Sequence, residues 1–162
     1  MSPAFTPAPG CVSCDILSGK RQEPGGVIYE NAYWHAGSVL PPVVWPGFLI
    51  VKLKRHCEHI AELTLEEASA LGPVLRGASA ALMEVLQPAK VYTGSFGEGT
   101  KHIHFWLLPR PHGMAAGLHA ALLRLDLRHL AARLPLFRGA AMSEAQVADL
   151  AARLRSQMLS QI

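Results

Sequence analysis

Two histidines two residues apart stand in the run His102-Ile103-His104-Phe105-Trp106-Leu107-Leu108-Pro109-Arg110. An imidazole near neutral pH can act as nucleophile, proton-transfer group or metal ligand. The alternating aromatic and branched residues around the pair predict a β-strand. A strand places residues i, i+2 and i+4 on one face. His102, His104 and Trp106 are therefore expected to look out together, with Ile103, Phe105 and Leu107 turned to the core. Elsewhere, Cys11-Val12-Ser13-Cys14 forms a C-x-x-C pair, and Arg55-His56-Cys57-Glu58-His59 follows an apolar segment. Two cysteines and two separated histidines make a Cys₂His₂ set suited to tetrahedral zinc. The long gaps from Cys14 to His56 and from His56 to His102 exclude a compact zinc finger. They permit a clip joining an N-terminal arm to a sheet. A thiol redox pair is the weaker reading of Cys11 and Cys14, because such pairs follow a strand in a βαβ setting and no strand is predicted before Cys11.

The elements that must position these residues follow from the same patterns. Residues 1–10 read as a loose tail, and Cys14 to Leu17 as a short turn of helix. Val27 to Glu30 and Tyr33 to His35 are predicted strands around a turn at Asn31-Ala32. Pro41-Pro42 and Trp45-Pro46-Gly47 enclose a loop, since proline breaks both ladder and helix. Phe48 to Leu53 is the next strand. Thr64-Leu65-Glu66-Glu67 fits a capping box opening a helix that runs to about Leu86. Leu71, Leu75, Ala78, Leu82 and Val85 share one face of that helix. Gly72-Pro73 is expected to kink or divide it. Val91 to Phe96 is a strand, joined through Gly97-Glu98-Gly99-Thr100 to the histidine strand. Beyond it, Ala115 to Arg124 is a helix candidate. Ser143-Glu144-Ala145-Gln146 caps a second one, with Val147, Leu150, Leu154 and Met158 on one face. This tail is expected to pack on the sheet or on a partner subunit, with a substrate-covering lid as the sharper alternative. The fold class is α+β, an antiparallel sheet of about five strands with a long helix across one face and a helical C-terminal extension.

Composition sets bounds on function. At 162 residues, half of them apolar and 17% charged, the chain suits one domain with a real core and is not a disordered protein. No apolar run approaches the roughly 18 residues of a membrane span. The first ten residues lack the basic cluster and apolar stretch of a signal peptide, which predicts a cytoplasmic protein. Three cysteines are an odd number, unlike a secreted disulfide framework, and favour reduced thiols or metal ligands. A net charge of +3 suits an anionic ligand such as a phosphate but is too small a bias to argue for nucleic acid.

The ordered set of motifs resembles the histidine-triad nucleotide-binding proteins. It comprises the C-x-x-C start, Val27-Ile28-Tyr29-Glu30-Asn31, the segment Pro46 to His56, Glu62-Leu63-Thr64 opening a helix, and the His-x-His strand ending in Pro109-Arg110. The resemblance covers residues 11–112 and leaves 113–162 as a helical extension. It implies that His104 is the nucleophile, attacking the α-phosphorus of a nucleotide to give a nucleotidyl-histidine. The other ring nitrogen of His104 should then be held by an acceptor, commonly a backbone carbonyl. It implies a zinc site of Cys11, Cys14, His56 and His102, closed by four protein ligands and therefore structural; His59 is the rival to His56. It further implies a homodimer.

The sequence also departs from the family pattern. Trp106 stands where the third histidine belongs, and an indole cannot relay a proton; it can donate to a phosphate or stack on a base. Phe48 replaces a supporting histidine. No carboxylate stands in Ser38 to Pro41, where the family carries a ribose-binding aspartate. The phosphate-donor element is shortened to Gly97-Glu98-Gly99-Thr100-Lys101, leaving Ser95, Thr100 and Lys101 as candidate phosphate contacts. The hexose-phosphate uridylyltransferase branch also lacks the third histidine and favours transfer. The function implied is a nucleotidyl hydrolase or transferase acting on a nucleoside phosphoramidate or dinucleoside polyphosphate. The alternative is a nucleotide-binding or scaffold protein that has lost catalysis.

Overall fold

The computed structural model describes residues 6–134, 139 and 141–161. The first five residues of the expected tail lie outside the described residues. The elements are α1 (Val12–Leu17), β1 (Tyr29–Glu30), β2 (Trp34–Ser38), β3 (Leu49–Leu53), α2 (Leu65–Leu86), β4 (Lys90–Gly94), β5 (His104–Arg110), α3 (Leu118–Arg133) and α4 (Glu144–Leu159). A one-turn 3₁₀ helix, Ile60–Glu62, precedes α2. The strands form one antiparallel sheet in the order β1-β2-β3-β5-β4.

Period-two alternation decides which side chains meet which helix. Trp34 and Ala36 of β2, Leu49, Val51 and Leu53 of β3, and Phe105 and Leu107 of β5 face one side. There they pack on Val74, Ala78, Ala81 and Leu82 of α2 and on Leu150, Ala151, Leu154 and Met158 of α4. The opposite side of the sheet carries Phe48, Ile50, Leu108 and Trp106, and α3 packs on it through Ala121, Leu125 and Ala132. Because both faces are covered, all five residues of β2 are buried. Gly47 has a positive φ of 77° and lies against Leu82 and Pro109, so a side chain there would clash as well as strain the backbone.

Several local expectations need correction. Helix α2 is one continuous element through Gly72 and Pro73. The burial of Leu71, Val74, Ala78 and Leu82 on the sheet outweighs the roughly 3 kcal/mol cost of an interior proline. Helix α3 starts at Leu118 and runs to Arg133, well beyond Arg124, because Leu125 and Ala132 also reach the sheet. Strand β5 begins at His104, so His102 is not part of it. The His102 amide is engaged in a turn with the Thr100 carbonyl at 2.8 Å, and the strand register with β3 begins at His104, next to a bond from the Leu53 amide to the Ile103 carbonyl at 3.3 Å. The Thr64 and Ser143 capping boxes both form, with each hydroxyl accepting from the third residue of its helix. All four predicted apolar positions of α4 are buried.

Candidate functional site

Three strands bring the chemistry to one sheet face. His35 of β2 stands opposite Lys52 of β3, and Lys52 stands opposite His104 of β5. Directly paired residues share a face, so His35, Lys52 and His104 line up across the sheet, followed by Gly37, Ile50 and Trp106 one step along.

His104 is 8% exposed. Its Nδ1 lies 2.6 Å from the carbonyl oxygen of His102. A carbonyl only accepts, so Nδ1 carries the proton and Nε2 is left with its lone pair. Nε2 is therefore the nitrogen available for attack or for proton transfer. His104 and Trp106 open onto a hollow of about 580 Å³, within the usual range for small-molecule sites. Its floor is Phe48, Ile50 and Trp106; its walls are Val12 and Ser13 of α1, Val39 and Leu40, residues 96–100, and Leu122, Leu125, Asp126 and His129 of α3. Trp106 meets Phe48 and Phe96 with ring centroids at 5.1 Å in both cases. Of the residues proposed for phosphate, Thr100 and Trp106 line the hollow. Ser95 and Lys101 are outside its lining, and Lys101 faces a smaller depression beside Cys11 and His56.

At the sheet end next to His104, Cys11, Cys14, His56 and His102 place one ligand atom each within 4.8 Å of one another. Helix α1 supplies Cys14, and Cys11 is its N-cap. The segment after β3 supplies His56. It is held by Arg55, which donates from Nε and Nη2 to the two oxygens of buried Glu67 at 2.7 and 2.8 Å, and by a main-chain bond from Ile103 to Cys57. The separations are 3.4 Å from Cys11 Sγ to His102 Nδ1, 3.5 Å from Cys14 Sγ to His56 Nδ1, and 3.6 Å from Cys14 Sγ to His102 Nδ1. The two Nδ1 atoms are 3.3 Å apart. A tetrahedral zinc with ordinary bond lengths has N–N edges of about 3.3 Å and N–S edges of about 3.6 Å, so the donor set fits that ion. His102 donates Nε2–H to the Leu53 carbonyl at 2.8 Å, which fixes the tautomer that turns the Nδ1 lone pair to the sulfurs. Burial pushes the His102 imidazole down to about 4, so it is the neutral form that a ligand requires. Burial pushes the Cys14 thiol up. His59 is exposed and lies outside the cluster, with its amide donating to Glu62 at 2.9 Å. Cys57 is buried in the helix-side core.

Sequence reading missed a buried ionic cluster beside His104. Glu23, from the loop after α1, reaches over β2 and β3. One carboxylate oxygen takes the Lys52 ammonium and the other meets His35 Nε2 at 2.5 Å. All three residues are at least nine-tenths buried. Burial alone would raise the Glu23 carboxyl, but the His35 hydrogen bond and the Lys52 charge hold it below its ordinary range. Burial pulls the Lys52 ammonium down, against the attraction of Glu23. Gly37 makes room for this arrangement, because a Cβ there would overlap the Glu23 carboxylate. The available signal was a lysine at an inward position of an otherwise apolar strand, Leu49-Ile50-Val51-Lys52-Leu53.

No family model matches the sequence, and no curated protein matches it. Solved structures do match. A zinc-bound histidine triad family protein from Mycobacterium smegmatis superposes with a TM-score of 0.67 at 18% identity, covering 93% of this chain and 96% of that one. A hypothetical histidine triad nucleotide-binding protein from Sulfolobus tokodaii gives 0.66 at 16% identity, with 93% of each chain covered. A HIT-like protein involved in cell-cycle regulation from Bartonella henselae gives 0.65 at 13% identity, covering 94% of this chain and 99% of that one. The chain has the histidine-triad fold, and these superpositions take in 93–94% of it.

Proposed function

We propose that the chain is a nucleotide-processing member of the histidine-triad family. It would be a hydrolase or transferase that acts on a nucleoside phosphoramidate or dinucleoside polyphosphate through a nucleotidyl intermediate on His104. The observation that carries this reading is the fixed tautomer of His104, whose Nδ1–H is bound by the His102 carbonyl, which leaves Nε2 its lone pair in a residue that lines a hollow of nucleotide size. In the first step the Nε2 lone pair forms a bond to the α-phosphorus, and the bond from phosphorus to the leaving group breaks with its electron pair. Water or a second acceptor then releases the nucleotide and restores Nε2. Thr100 contacts phosphate, while Trp106, with Phe48 and Phe96 around it, offers an aromatic surface to the base. Ser95 and Lys101, outside the lining, are the weaker phosphate candidates.

Cys11, Cys14, His56 and His102 would hold zinc as a closed structural site, and its chemistry there is to lock the His102 backbone that orients His104. No described helix is long and apolar enough to cross a membrane; a cytoplasmic location and a small nucleotide as partner are part of the proposal. A homodimer is part of the same reading; the exposed Leu123, Leu127 and Leu130 on α3 are apolar surface that self-association would cover.

Incubation with nucleotide radiolabelled at the α-phosphorus tests the proposal. Wild type should acquire label and His104→Ala should not; equal labelling rejects His104 as nucleophile. The second reading, a nucleotide-binding or scaffold protein without catalysis, is favoured by one observation: the hollow's floor of Phe48, Ile50 and Trp106 carries no titratable group. Calorimetric nucleotide binding without turnover would select it.

A further inference from the structure

Four residues of α3 line the hollow: Leu122, Leu125, Asp126 and His129. Their spacing of i, i+3, i+4 and i+7 is one stripe of a helix. Helix α3 is seated on the same sheet face as His104 by three features. Leu125 packs in the cluster of Trp45, Phe48 and Leu108, Arg128 lies 5.7 Å over the Trp45 ring, and the Arg128 guanidinium donates to the Val44 carbonyl at 3.3 Å. The stripe is therefore held facing the cavity that His104 faces from the sheet.

Displacement at phosphorus runs in line. The leaving group departs on the side opposite the attacking nitrogen, and the water of the second step enters from that same side. A proton-transfer group must then stand across the cavity from His104. Besides His104, the titratable residues lining the hollow are Glu98, Asp126 and His129. Glu98 and Asp126 are exposed carboxylates, whereas His129 is only partly exposed. His129 is an imidazole, with a proton affinity suited to the task.

We infer that His129, from the C-terminal extension, is the general base of the second step in this site, in the role that Trp106 cannot fill. The inference rests on the reading of His104 as nucleophile. Water attacks the phosphorus of nucleotidyl-His104, its proton passes to a ring nitrogen of His129, a new P–O bond forms, and the P–N bond breaks with its electron pair returning to His104 Nε2. His129 then releases the proton to solvent. Asp126, one turn earlier on the same stripe, favours the imidazolium that forms. Burial and the neighbouring Arg133 hold His129 below its ordinary value, which keeps it in the proton-accepting form beforehand.

The test uses the full chain and the p-nitrophenyl esters of the common nucleoside 5′-monophosphates. Their leaving group needs no proton, so the first step is independent of His129. Wild type should release p-nitrophenol continuously. His129→Gln should release a burst of about one equivalent and then turn over about 10²-fold or more slowly, with label accumulating on His104. Added imidazole should restore turnover in His129→Ala. A His129→Gln protein that turns over within about threefold of wild type, while His104 labels normally, overturns the role of His129 alone. Arrest of the second step by Glu98→Gln instead overturns it equally. Failure of wild type to release p-nitrophenol from any of the esters overturns the His104 reading and this inference with it. Both His129 and Glu98 have solvent access, so these substitutions should leave the melting temperature unchanged and the comparison interpretable.

Discussion

His104 Nδ1–H donates to the carbonyl of His102 at 2.6 Å, while the His102 ring turns its own Nδ1 to Cys11 and Cys14. One residue thus joins a metal-type cluster to the free nitrogen of the candidate nucleophile. Its side chain answers to the cluster and its backbone sets the tautomer next door. Damage to the cluster should reach activity without touching the hollow.

Elemental analysis should therefore find about one zinc per chain, lost in Cys14→Ser. Saturating zinc at 100 to 1,000 times its dissociation constant stabilises a fold by about 3–4 kcal/mol. For a domain of this size that corresponds to roughly 6–16 °C in melting temperature. Chelation should lower the melting temperature by that order and reduce turnover in parallel. A chelated protein with unchanged melting temperature and activity would remove the structural role.

The Glu23–Lys52 pair should show strong coupling. Lys52→Met leaves a buried carboxylate with only His35 for support, and such losses cost about 3–5 kcal/mol. Glu23→Gln combined with Lys52→Met should recover much of that cost, since no charge is then stranded. The pair also fixes a pH dependence. Glu23 is held below its ordinary value when folded, so its contribution is complete above the unfolded glutamate value of about 4.3 and is lost as pH falls through the folded value. Urea midpoints measured from pH 7 to pH 3 should fall more steeply for wild type than for Glu23→Gln.

What the sequence revealed and what it hid have the same physical source. Strong periodicity, capping boxes and ligand chemistry are local, so β3, α2, α4 and the four cluster residues were legible from pattern and resemblance. The Glu23 cluster was not, because Glu23 lies in a turn-rich loop and gains its meaning only when β2 and β3 bring His35 and Lys52 together. His129 was hidden for a similar reason. The helix candidate Ala115 to Arg124 stops short of it, and only the packing of Leu125 and Arg128 against Trp45 and its neighbours turns one stripe to the hollow. The start of β5 was misjudged because alternation continues through His102, whereas its side chain is committed to the cysteines and its amide to a turn.

Trp106 should contribute to nucleotide binding rather than to proton transfer. Stacking of a base on an aromatic ring is worth about 1–3 kcal/mol by alanine substitution, or roughly 5–150-fold in affinity. Calorimetry of Trp106→Ala with a nucleoside monophosphate should show a loss in that range, and Trp106→Phe should retain most of the affinity. Equal affinities for wild type and Trp106→Ala would place the base elsewhere in the hollow.

Helix α4 should behave as part of the core and not as a detachable tail. Leu154 is fully buried and shares one cluster with Val74 and Leu82 of α2, and the Arg155 guanidinium donates to the Gly25 and Val27 carbonyls at 2.9 and 2.8 Å. Leu154→Ala should cost about 2–5 kcal/mol, roughly 4–20 °C in melting temperature. Ser143→Ala removes the hydroxyl that accepts from the Gln146 amide and should cost about 1 kcal/mol. Leu127→Ala on the exposed side of α3 should stay within about 0.5 kcal/mol of wild type at dilutions where the chain is monomeric, and should weaken the proposed homodimer that covers this residue. A single cooperative unfolding transition, shifted by Leu154→Ala as a whole, is the expected calorimetric trace. If Leu154→Ala instead produced a separate early transition and left the main one in place, α4 would be an appended unit and the shared core would contribute little to holding the sheet.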